Sequence, residues 1–519
     1  MRRDGEGRRP NIVIFMTDQQ RGATVLPGNP LKARTPRLDR LRERGVTFGQ
    51  CFTVSPHCCP SRASFFTGRY PSEHGVWNNV NVANALSRGP RDAVPFWSQD
   101  LVAAGYQLGF AGKWHVSNTK NPVSFGWHEC RVTSPATGSI GDSDDDQRRQ
   151  ARMAELQRLN GTEADRAGEN QSRINGEIVR PGYPRYVHYG TDEDPFQDSD
   201  VVAAAADFVS EVDHDQPWVL YVGTLGPHDP YRAPQRFLDQ YSLDAMQLPD
   251  SFDDPMVDKP GLYRRTRERF DQLTEPEHRD ALRHYLALCS YEDELFGRIE
   301  DAVADAGALD DTIFVYLSDH GDYAGAHGLW CKGLPSFTDA YRIPVIIGGG
   351  PVADRFGGKS CTVPASLADV GPTILDLCGV PAPTMTGLSL VDAIERGALP
   401  REELVLATNG NELYGIQRIV LTKRWKLVVN LFDLDELYDL EADPDEMTNL
   451  LHEPATIRHR DAGPLAEIPP ALTDVVADLY ARLWRFGLDH GDNVTDTYIL
   501  TALATYGPGV TATVRDHTT

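Results

Sequence analysis

The sequence contains few cysteines and no long apolar segment, and these two absences exclude several classes of protein. Eight cysteines occur among 519 residues, and their irregular spacing differs from that of small disulfide-rich secreted domains and of zinc ribbons. The apolar run at residues 12–16 is too short for the core of a signal peptide or for a membrane helix. We therefore expect a cytoplasmic protein that keeps most of its thiols reduced and has no membrane partner.

Positive charge is also scarce. The chain has 51 Lys and Arg residues against 75 Asp and Glu residues, which gives a formal net charge of -24. An acidic surface repels nucleic acid and anionic membranes unless cations are concentrated locally, so we expect no nucleic-acid partner. With 40% apolar and 24% charged residues, the composition is that of a globular protein, and the length allows one large domain plus a smaller one.

Short runs rich in Val, Ile and Phe alternate with helix-like stretches in the first part of the chain. This pattern predicts an α/β fold with a mostly parallel, buried central sheet that is flanked by helices. Four of the runs are followed by charged or metal-binding side chains, and they span residues 11–16, 106–111, 218–222 and 312–317. Because open α/β sheets bind ligands at the carboxyl ends of their strands, the four motifs predict one shared site.

We predict that residues 1–400 form this α/β domain. Apolar residues recur every three to four positions between Leu282 and Val303, which predicts a helix packed on the sheet. Residues 139–190 are polar and charged, so they predict a surface insertion with a helix near residues 148–159.

The pattern changes after Pro400, and residues 401–519 are predicted to form a smaller α+β domain. Three short apolar runs without long helices between them indicate an antiparallel sheet, and they span residues 403–407, 415–422 and 425–430. A helix at residues 471–486 would cover one face of this sheet. The tail from about residue 489 is too polar to fold alone, so it either extends freely or docks on another subunit of a homo-oligomer.

Two of the strand ends carry residues that are suited to a metal ion. Asp18 and Gln19 follow the first strand, and Asp319 and His320 follow the strand at residues 312–317. Carboxylate and amide oxygens favour hard ions such as calcium, magnesium or manganese, and the single imidazole shifts the preference slightly toward manganese.

The most informative segment lies at residues 57–69 and contains two adjacent cysteines. Pro60 suits the first turn of a helix and Gly68 suits its end, so Cys58 lies just before a helix whose free N–H groups favour an anion. Taken alone, Cys58 and Cys59 could equally be small buried thiols at a helix start.

The pattern Cys58-x-Pro60-Ser61-Arg62, followed by Thr-Gly-Arg, resembles the signature of the sulfatase family within the alkaline phosphatase superfamily. The resemblance implies an alkaline-phosphatase-like α/β fold and the oxidation of Cys58 to Cα-formylglycine by a maturation enzyme. Cys59 does not fit the signature, because the proline would then lie one position too early.

Other segments extend the resemblance over most of the chain. The resemblance implies that Asp18, Gln19, Asp319, His320 and the modified Cys58 surround one divalent metal ion, for which calcium is our first choice and manganese or magnesium the alternatives. Gln19 departs from the many sulfatases that have a second aspartate there. The C-terminal segment at residues 436–450 is similar to the family's closing motif.

The resemblance also implies a mechanism. The hydrate of formylglycine attacks sulfur through one hydroxyl group, and the second hydroxyl group later expels sulfate. Arg62 would hold this diol, and Lys113 and Lys332 would bind the sulfuryl oxygens. His228 would protonate the leaving alcohol, and His115 would assist deprotonation or collapse of the diol.

Asn78 follows the cysteine motif, and its side chain either contacts the substrate or hydrogen-bonds its own loop.

Three functions agree with these features. The first is hydrolysis of sulfate monoesters, with small alkyl or aryl sulfates favoured because an acidic surface would not attract large polyanions. The second is a phosphonate monoester or phosphodiester hydrolase of the same superfamily, in which an Asp-Gln pair such as Asp18-Gln19 also occurs. Ser61 is closer to the sulfatase signature, so we favour the first function. The third is a non-catalytic anion-binding relative in which Cys58 stays a thiol.

Overall fold

A computed structural model describes residues 9–82, 84–133, 173–179, 186–382, 385–411, 413–451 and 470–495. The predicted helix at residues 148–159, most of the predicted insertion and the tail beyond residue 495 lie outside the described residues. The predictions of a surface insertion and of a tail-mediated homo-oligomer therefore stay predictions.

The strands are short and distributed along the whole described chain. Their bounds are β1 Asn11–Thr17, β2 Gly45–Phe48, β3 Cys51–Phe52, β4 Gln107–Lys113, β5 His128–Thr133, β6 Glu177–Ile178, β7 Tyr186–Val187, β8 Tyr189–Thr191, β9 Trp218–Gly223, β10 Tyr231–Ala233, β11 Thr312–Ser318, β12 Val345–Gly349, β13 Lys359–Cys361, β14 Ala365–Ser366, β15 Leu404–Gly410, β16 Tyr414–Leu421, β17 Trp425–Asn430 and β18 Glu436–Asp439.

The α-helices lie mostly between these strands. Their bounds are α1 Pro36–Glu43, α2 Cys58–Thr67, α3 Pro71–His74, α4 Trp97–Ala103, α5 Asp198–Glu211, α6 Gln235–Leu238, α7 Gly261–Arg267, α8 Glu275–Asp305, α9 Thr338–Tyr341, α10 Gly350–Phe356, α11 Val370–Leu377, α12 Val391–Arg396 and α13 Thr473–His490.

Eight strands form the central sheet in the order β13-β2-β12-β11-β1-β9-β4-β5. β12 runs antiparallel to both of its neighbours, and the other adjacent pairs are parallel. The mostly parallel α/β sheet predicted from the sequence is therefore confirmed. The four predicted strands correspond to β11, β1, β9 and β4, which are consecutive neighbours at the centre of the sheet.

Strands β1, β9 and β11 are buried along their whole length because both faces of the sheet are covered. Val13 and Phe15 of β1 face one apolar cluster, and Ile12 and Ile14 face another cluster on the opposite side. Helix α8 packs on the first face through the apolar stripe predicted from the sequence. Its first turn is closed by a capping box, in which Thr274 and Glu277 exchange hydrogen bonds with each other's backbone.

Strands β15 to β18 form a separate antiparallel sheet of four strands in sequence order. Side chains along β15 alternate between two apolar clusters, since Leu404 and Leu406 lie in one and Val405 lies in the other. Helix α13 covers the second face through Val476, Leu479 and other apolar side chains. The predicted sheet and its covering helix are confirmed, and the domain division near residue 400 stays a prediction.

Among the described residues, no helix combines the length and the apolar character that crossing a bilayer requires.

Candidate active site

The site forms where the carboxyl ends of four parallel strands meet. β1 and β11 pair in register from Asn11 opposite Thr312 to Thr17 opposite Ser318, so Asp18 and Asp319 leave the sheet side by side. The Asp319 backbone N–H donates to the Thr17 carbonyl oxygen at 3.2 Å. The strand ends of β9 and β4 lie on the other side of β1 and bring the loop after Gly223 and Lys113 to the same edge.

Cys58 is delivered to this edge by helix α2. The helix begins at Cys58 itself and is buried over its whole length. Gly68 ends it in the left-handed conformation, with φ of 62°, which an L side chain rarely adopts. The predicted helix is thus present, and its N-terminal N–H groups and dipole favour negative charge at Cys58.

Four buried side chains form a group that is suited to a metal ion. The ligand atoms of Asp18, Cys58, Asp319 and His320 all lie within 4.8 Å of one another. The Cys58 sulfur is 3.2 Å from His320 Nε2 and 3.7 Å from Asp18 Oδ1. The prediction from the sequence had placed these four residues in one site, and the structure brings them together.

The charge balance of this group fits a bound cation. Burial raises the pKa of the Asp319 carboxyl above its ordinary value, and the negative charge of Asp18 raises it further. A divalent ion between the two carboxylates would relieve this repulsion, and the oxygen-rich donor set with one imidazole is one that hard divalent ions accept.

Arg62 fixes the two carboxylates in place. Its Nε donates to Asp319 Oδ2 at 2.9 Å, and its Nη2 donates to Asp18 Oδ2 at 3.1 Å. Its Nη1 donates to the Tyr221 hydroxyl at 2.9 Å and to the Lys113 carbonyl oxygen at 3.1 Å. One fully buried guanidinium group therefore connects three strand ends, because Asp18, Asp319 and Lys113 come from different strands.

Lys113 adds a second buried cation and forms an ion pair with Asp18. Burial on its own would raise the pKa of the Asp18 carboxyl. The cations Lys113, His228 and Arg62 outweigh burial and hold that pKa well below its usual range.

Position 58 itself is surrounded by positive charge. Burial would raise the pKa of the Cys58 thiol. Lys113, Lys332 and His320 outweigh burial, so the pKa of this thiol lies well below its ordinary value. A negatively charged group at position 58 is therefore stabilised from several sides in a protein that is acidic overall.

A second set of contacts lies beside the four-residue group and involves Lys332, His228 and Gln19. The Lys332 ammonium lies 2.6 Å from His228 Nε2, and it donates to Gln19 Oε1. The Gln19 amide nitrogen donates to Asp322 Oδ2 at 2.7 Å and to Asp229 Oδ1 at 3.2 Å. The Gln19 side chain thus lies beside the four-residue group and contacts Lys332 and two further carboxylates.

Asn78 and His115 both hydrogen-bond the segment at residues 81–86. His115 Nε2 is 2.8 Å from Asn81 Oδ1. Asn78 donates to the carbonyl oxygen of Asn84 at 3.2 Å and accepts from the Leu86 N–H at 2.9 Å. These are hydrogen bonds within its own loop, so the structure does not bring Asn78 into the group around Cys58.

Sequence reasoning missed several residues that shape the site. Asp229 and Asp322 orient Gln19, and although both lie within the predicted motifs, neither was assigned this role. Tyr221 contacts Arg62 from the middle of a strand, where the sequence pattern indicates only a core residue.

His57 is buried, and neither of its ring nitrogens has a hydrogen-bond partner. Burial, together with the nearby charge of His320, lowers the pKa of His57 to about 3, which keeps its ring neutral.

Comparison with known proteins identifies relatives along most of the chain. Choline-sulfatase of Rhizobium meliloti (strain 1021) is 29% identical over 459 residues, which cover 86% of this chain and 83% of that protein. Arylsulfatase of Clostridium perfringens (strain 13 / Type A) is 27% identical over 469 residues, which cover 86% of this chain and 90% of that protein.

A solved structure shares the fold. The crystal structure of phosphonate monoester hydrolase of Agrobacterium radiobacter superposes with a TM-score of 0.69 at 20% identity, and the match covers 93% of this chain and 96% of that chain. Its agreement with the central and C-terminal sheets confirms the predicted alkaline-phosphatase-like architecture.

Two family profiles match the sequence. The profile described as N-sulphoglucosamine sulphohydrolase, C-terminal, matches residues 325–460. The profile described as Sulfatase matches residues 10–380, which is well over half of the chain and includes each residue of the group around Cys58. The chain therefore belongs to the sulfatase family, a family of sulfuric ester hydrolases.

Proposed function

We propose that this protein hydrolyses small alkyl or aryl sulfate monoesters, with Cys58 converted to Cα-formylglycine beside one divalent metal ion. The observation that carries the proposal is the position of Cys58. Its sulfur lies at the start of a buried helix, next to two carboxylates and an imidazole and within the field of two lysines. A buried cation cluster of this kind in a chain of net charge -24 is suited to a small anion.

Asp18, Asp319 and His320 would hold the ion, and Gln19 remains a predicted fourth ligand beside them. Calcium is our first choice, and manganese or magnesium are alternatives. When these groups are in place, the ion polarises the ester and the formylglycine hydrate supplies the attacking hydroxyl.

The cations of the chain bind the substrate and stabilise developing charge. Lys113 and Lys332 would contact the sulfuryl oxygens as negative charge grows on them. Arg62 keeps Asp18 and Asp319 in fixed positions through two of its nitrogens, and a third donates to the Tyr221 hydroxyl, so the site is preorganised.

The two histidines differ in their protonation, and this difference suits opposite roles. Burial and Lys332 lower the pKa of His228, but Asp229, the Cys58 sulfur and Asp18 outweigh them and raise it above its ordinary value. A raised pKa suits His228 as the proton donor to the leaving alcohol.

Burial lowers the pKa of His115 to about 4, and Lys113 contributes to this shift. A neutral His115 can accept a proton from the hydroxyl groups at position 58. The two opposite pKa shifts therefore suit His228 as the acid and His115 as the base.

The choice of small esters rests on charge and on the relatives. The acidic surface disfavours long sulfated polymers, and two of the relatives are a choline-sulfatase and an arylsulfatase.

A second candidate is hydrolysis of phosphonate monoesters or phosphodiesters with the same residues. Two observations favour it, namely Gln19 in place of a second aspartate and the shared fold with a phosphonate monoester hydrolase.

A parallel turnover assay distinguishes these functions. The protein is produced with a formylglycine-generating enzyme and is given an aryl sulfate, an alkyl sulfate, an aryl phosphonate monoester, a phosphodiester and a long sulfated glycan. We expect the highest kcat/KM on one of the two small sulfates. Faster turnover of the phosphonate or the diester would assign the protein to the second function, and preference for the glycan would contradict the small-ester proposal.

A further inference from the structure

The loop that follows β9 connects two parts of the active site. Its Gly226 carbonyl oxygen accepts the backbone N–H of Asp18 at 3.0 Å. Two residues later the loop carries His228, whose backbone N–H donates to the Leu225 carbonyl oxygen at 3.1 Å. Asp18 is also held by Arg62 and Lys113, whereas the direction of His228 depends on the conformation at residues 225 and 226.

Asp198 fixes this loop from outside the group around Cys58. It is the first residue of helix α5, and its side chain is fully buried. Its carboxylate accepts the Leu225 N–H at 3.0 Å and the Gly226 N–H at 2.8 Å. Two consecutive backbone N–H groups thus end on one buried side chain, which fixes the conformation of the loop at these residues.

Glu292 of helix α8 closes the other side of the loop. Its side chain is fully buried, and both of its oxygens are without a hydrogen-bond partner. A Cβ atom placed on Gly226 would lie 2.0 Å from Glu292 Oε1, so the carboxyl group packs directly against the glycine. Burial raises the pKa of Glu292 well above its usual range, and the neighbouring Asp198 carboxyl raises it further, so the protonated form is favoured. Glu292 therefore packs against Gly226 as an uncharged side chain and limits movement of the loop on that side.

We propose that Asp198 is a positioning residue, which holds the loop at residues 225–228 against Glu292 and so directs His228 to the leaving group of the ester. This inference rests on the proposed role of His228 as the proton donor. Asp198 does not touch the reacting atoms and acts only through the loop.

The kinetic test compares esters with good and poor leaving groups in Asp198→Ala and Asp198→Asn. An alkyl alcohol needs protonation when it leaves, whereas an activated phenolate needs little. General acid catalysis contributes about 100-fold or more, so we expect kcat on an alkyl sulfate to fall by ~10- to 100-fold in Asp198→Ala and kcat on 4-nitrophenyl sulfate by less than ~3-fold. Asp198→Asn keeps one acceptor oxygen and should show a smaller effect of the same kind.

Asp293→Asn is the matched control. Asp293 neighbours Glu292 on helix α8, is also buried, and also accepts two consecutive backbone N–H groups, those of Arg37 at 3.1 Å and Leu38 at 2.8 Å. It holds the start of helix α1 rather than the catalytic loop. We expect this variant to leave the ratio of the two rates unchanged.

Hydrogen exchange measured by mass spectrometry gives a readout that does not depend on activity. Peptides that cover residues 218–230 should exchange about tenfold faster in Asp198→Ala than in the wild-type protein. If Asp198→Ala does not fold, the same peptides should exchange faster in Asp198→Asn. Their exchange should be unchanged in Asp293→Asn. Equal rate losses on both esters, or unchanged exchange in this segment, would overturn the proposal. If exchange is faster in the variants but the wild-type protein hydrolyses neither ester, the proposed function is refuted. The loop contact would then stand alone, and the positioning role of Asp198 in catalysis would be overturned as well.

Discussion

The central sheet and the C-terminal sheet are both buried on two faces, but they arrange their charged residues differently. In the central sheet, four neighbouring parallel strands end at one edge, so Asp18, Lys113 and Asp319 converge there and share Arg62. In the C-terminal sheet, neighbouring strands run in opposite directions, and the buried cation Lys426 pairs with the single carboxylate of Glu446. Strand direction thus decides whether buried charges gather into a reactive group or are neutralised in pairs.

The largest expected effect comes from the residue at the centre of the converging charges. Cys58→Ala removes the source of the nucleophile, so we expect kcat for sulfate esters to fall by at least ~10⁴-fold with little change in Tm. Steady-state turnover and thermal unfolding of the same preparation measure the two quantities.

Cys59→Ala is the matched control for this variant. Cys59 is equally buried, and its sulfur accepts the Val80 N–H at 3.3 Å. We expect activity to be retained and the free energy of unfolding to fall by about 1 kcal/mol. Full activity in Cys58→Ala, or its loss only in Cys59→Ala, would show that the signature has been assigned to the wrong cysteine.

Removal of the metal ion should have the next largest effect, and only on the central site. A chelator is expected to lower kcat by at least ~100-fold because the charge on the attacked ester is no longer stabilised. Returning an ion at about 100 times its dissociation constant should restore activity and stabilise the fold by about 2.7 kcal/mol. Titration with calcium, manganese and magnesium, followed by turnover and Tm, ranks the ions.

Asp319→Asn provides the comparison for that titration. It keeps the shape of the side chain and removes one of the two carboxylate charges. An unchanged response of Tm to added ions in Asp319→Asn would place the metal ion elsewhere.

Two buried lysines test the contrast between the sheets directly. Lys113→Met removes a cation from the active site, and we expect kcat to fall by ~100-fold. Lys426→Met leaves Glu446 buried without its cation, so it should lower the free energy of unfolding by about 3 kcal/mol while kcat changes less than ~3-fold. Urea unfolding and turnover of both variants separate the effects. A catalytic loss of equal size in Lys426→Met would remove the distinction between the two regions.

The smallest effect that we predict is a pH dependence of stability in the C-terminal sheet. Burial raises the pKa of Asp435 to about 6, although its carboxylate accepts hydrogen bonds from the Tyr480 hydroxyl and the Asn430 N–H. The folded state therefore binds the proton more tightly than the unfolded state does. This contribution is fully present below the ordinary pKa of aspartate and is lost as pH rises through about 6.

A difference of this size corresponds to about 2 kcal/mol in the free energy of unfolding between pH 4 and pH 7. Asp435→Asn should remove that part of the pH dependence and leave kcat unchanged. Urea unfolding of both proteins across this range checks it, and identical pH profiles would contradict the assignment.

The sequence was sufficient to predict the features that follow from local pattern. The strands β1, β9 and β11, the helix that begins at Cys58 and the antiparallel C-terminal sheet all have periodic or turn signals. Asp18, Asp319 and His320 could be predicted to lie together because they follow the ends of neighbouring strands, and the family resemblance added Cys58 to them.

The remaining features depend on contacts between distant segments. The Gln19 amide is oriented by Asp229 and Asp322, and no local rule determines how it rotates. Asp198 reaches the loop at residues 225 and 226 only because helix α5 packs beside β9. Residues of this kind belong to no sequence motif, so only the folded structure shows which groups they contact.

The most direct test of the central claim is the mass of the tryptic peptide from Gly45 to Arg62, measured on protein from a host that contains a formylglycine-generating enzyme. We predict that the peptide has the mass of an aldehyde in place of one thiol, and that fragmentation assigns the change to Cys58 rather than to Cys51 or Cys59. An unmodified thiol at Cys58 in a preparation that hydrolyses sulfate esters would contradict the account, because the nucleophile would then have to come from another group.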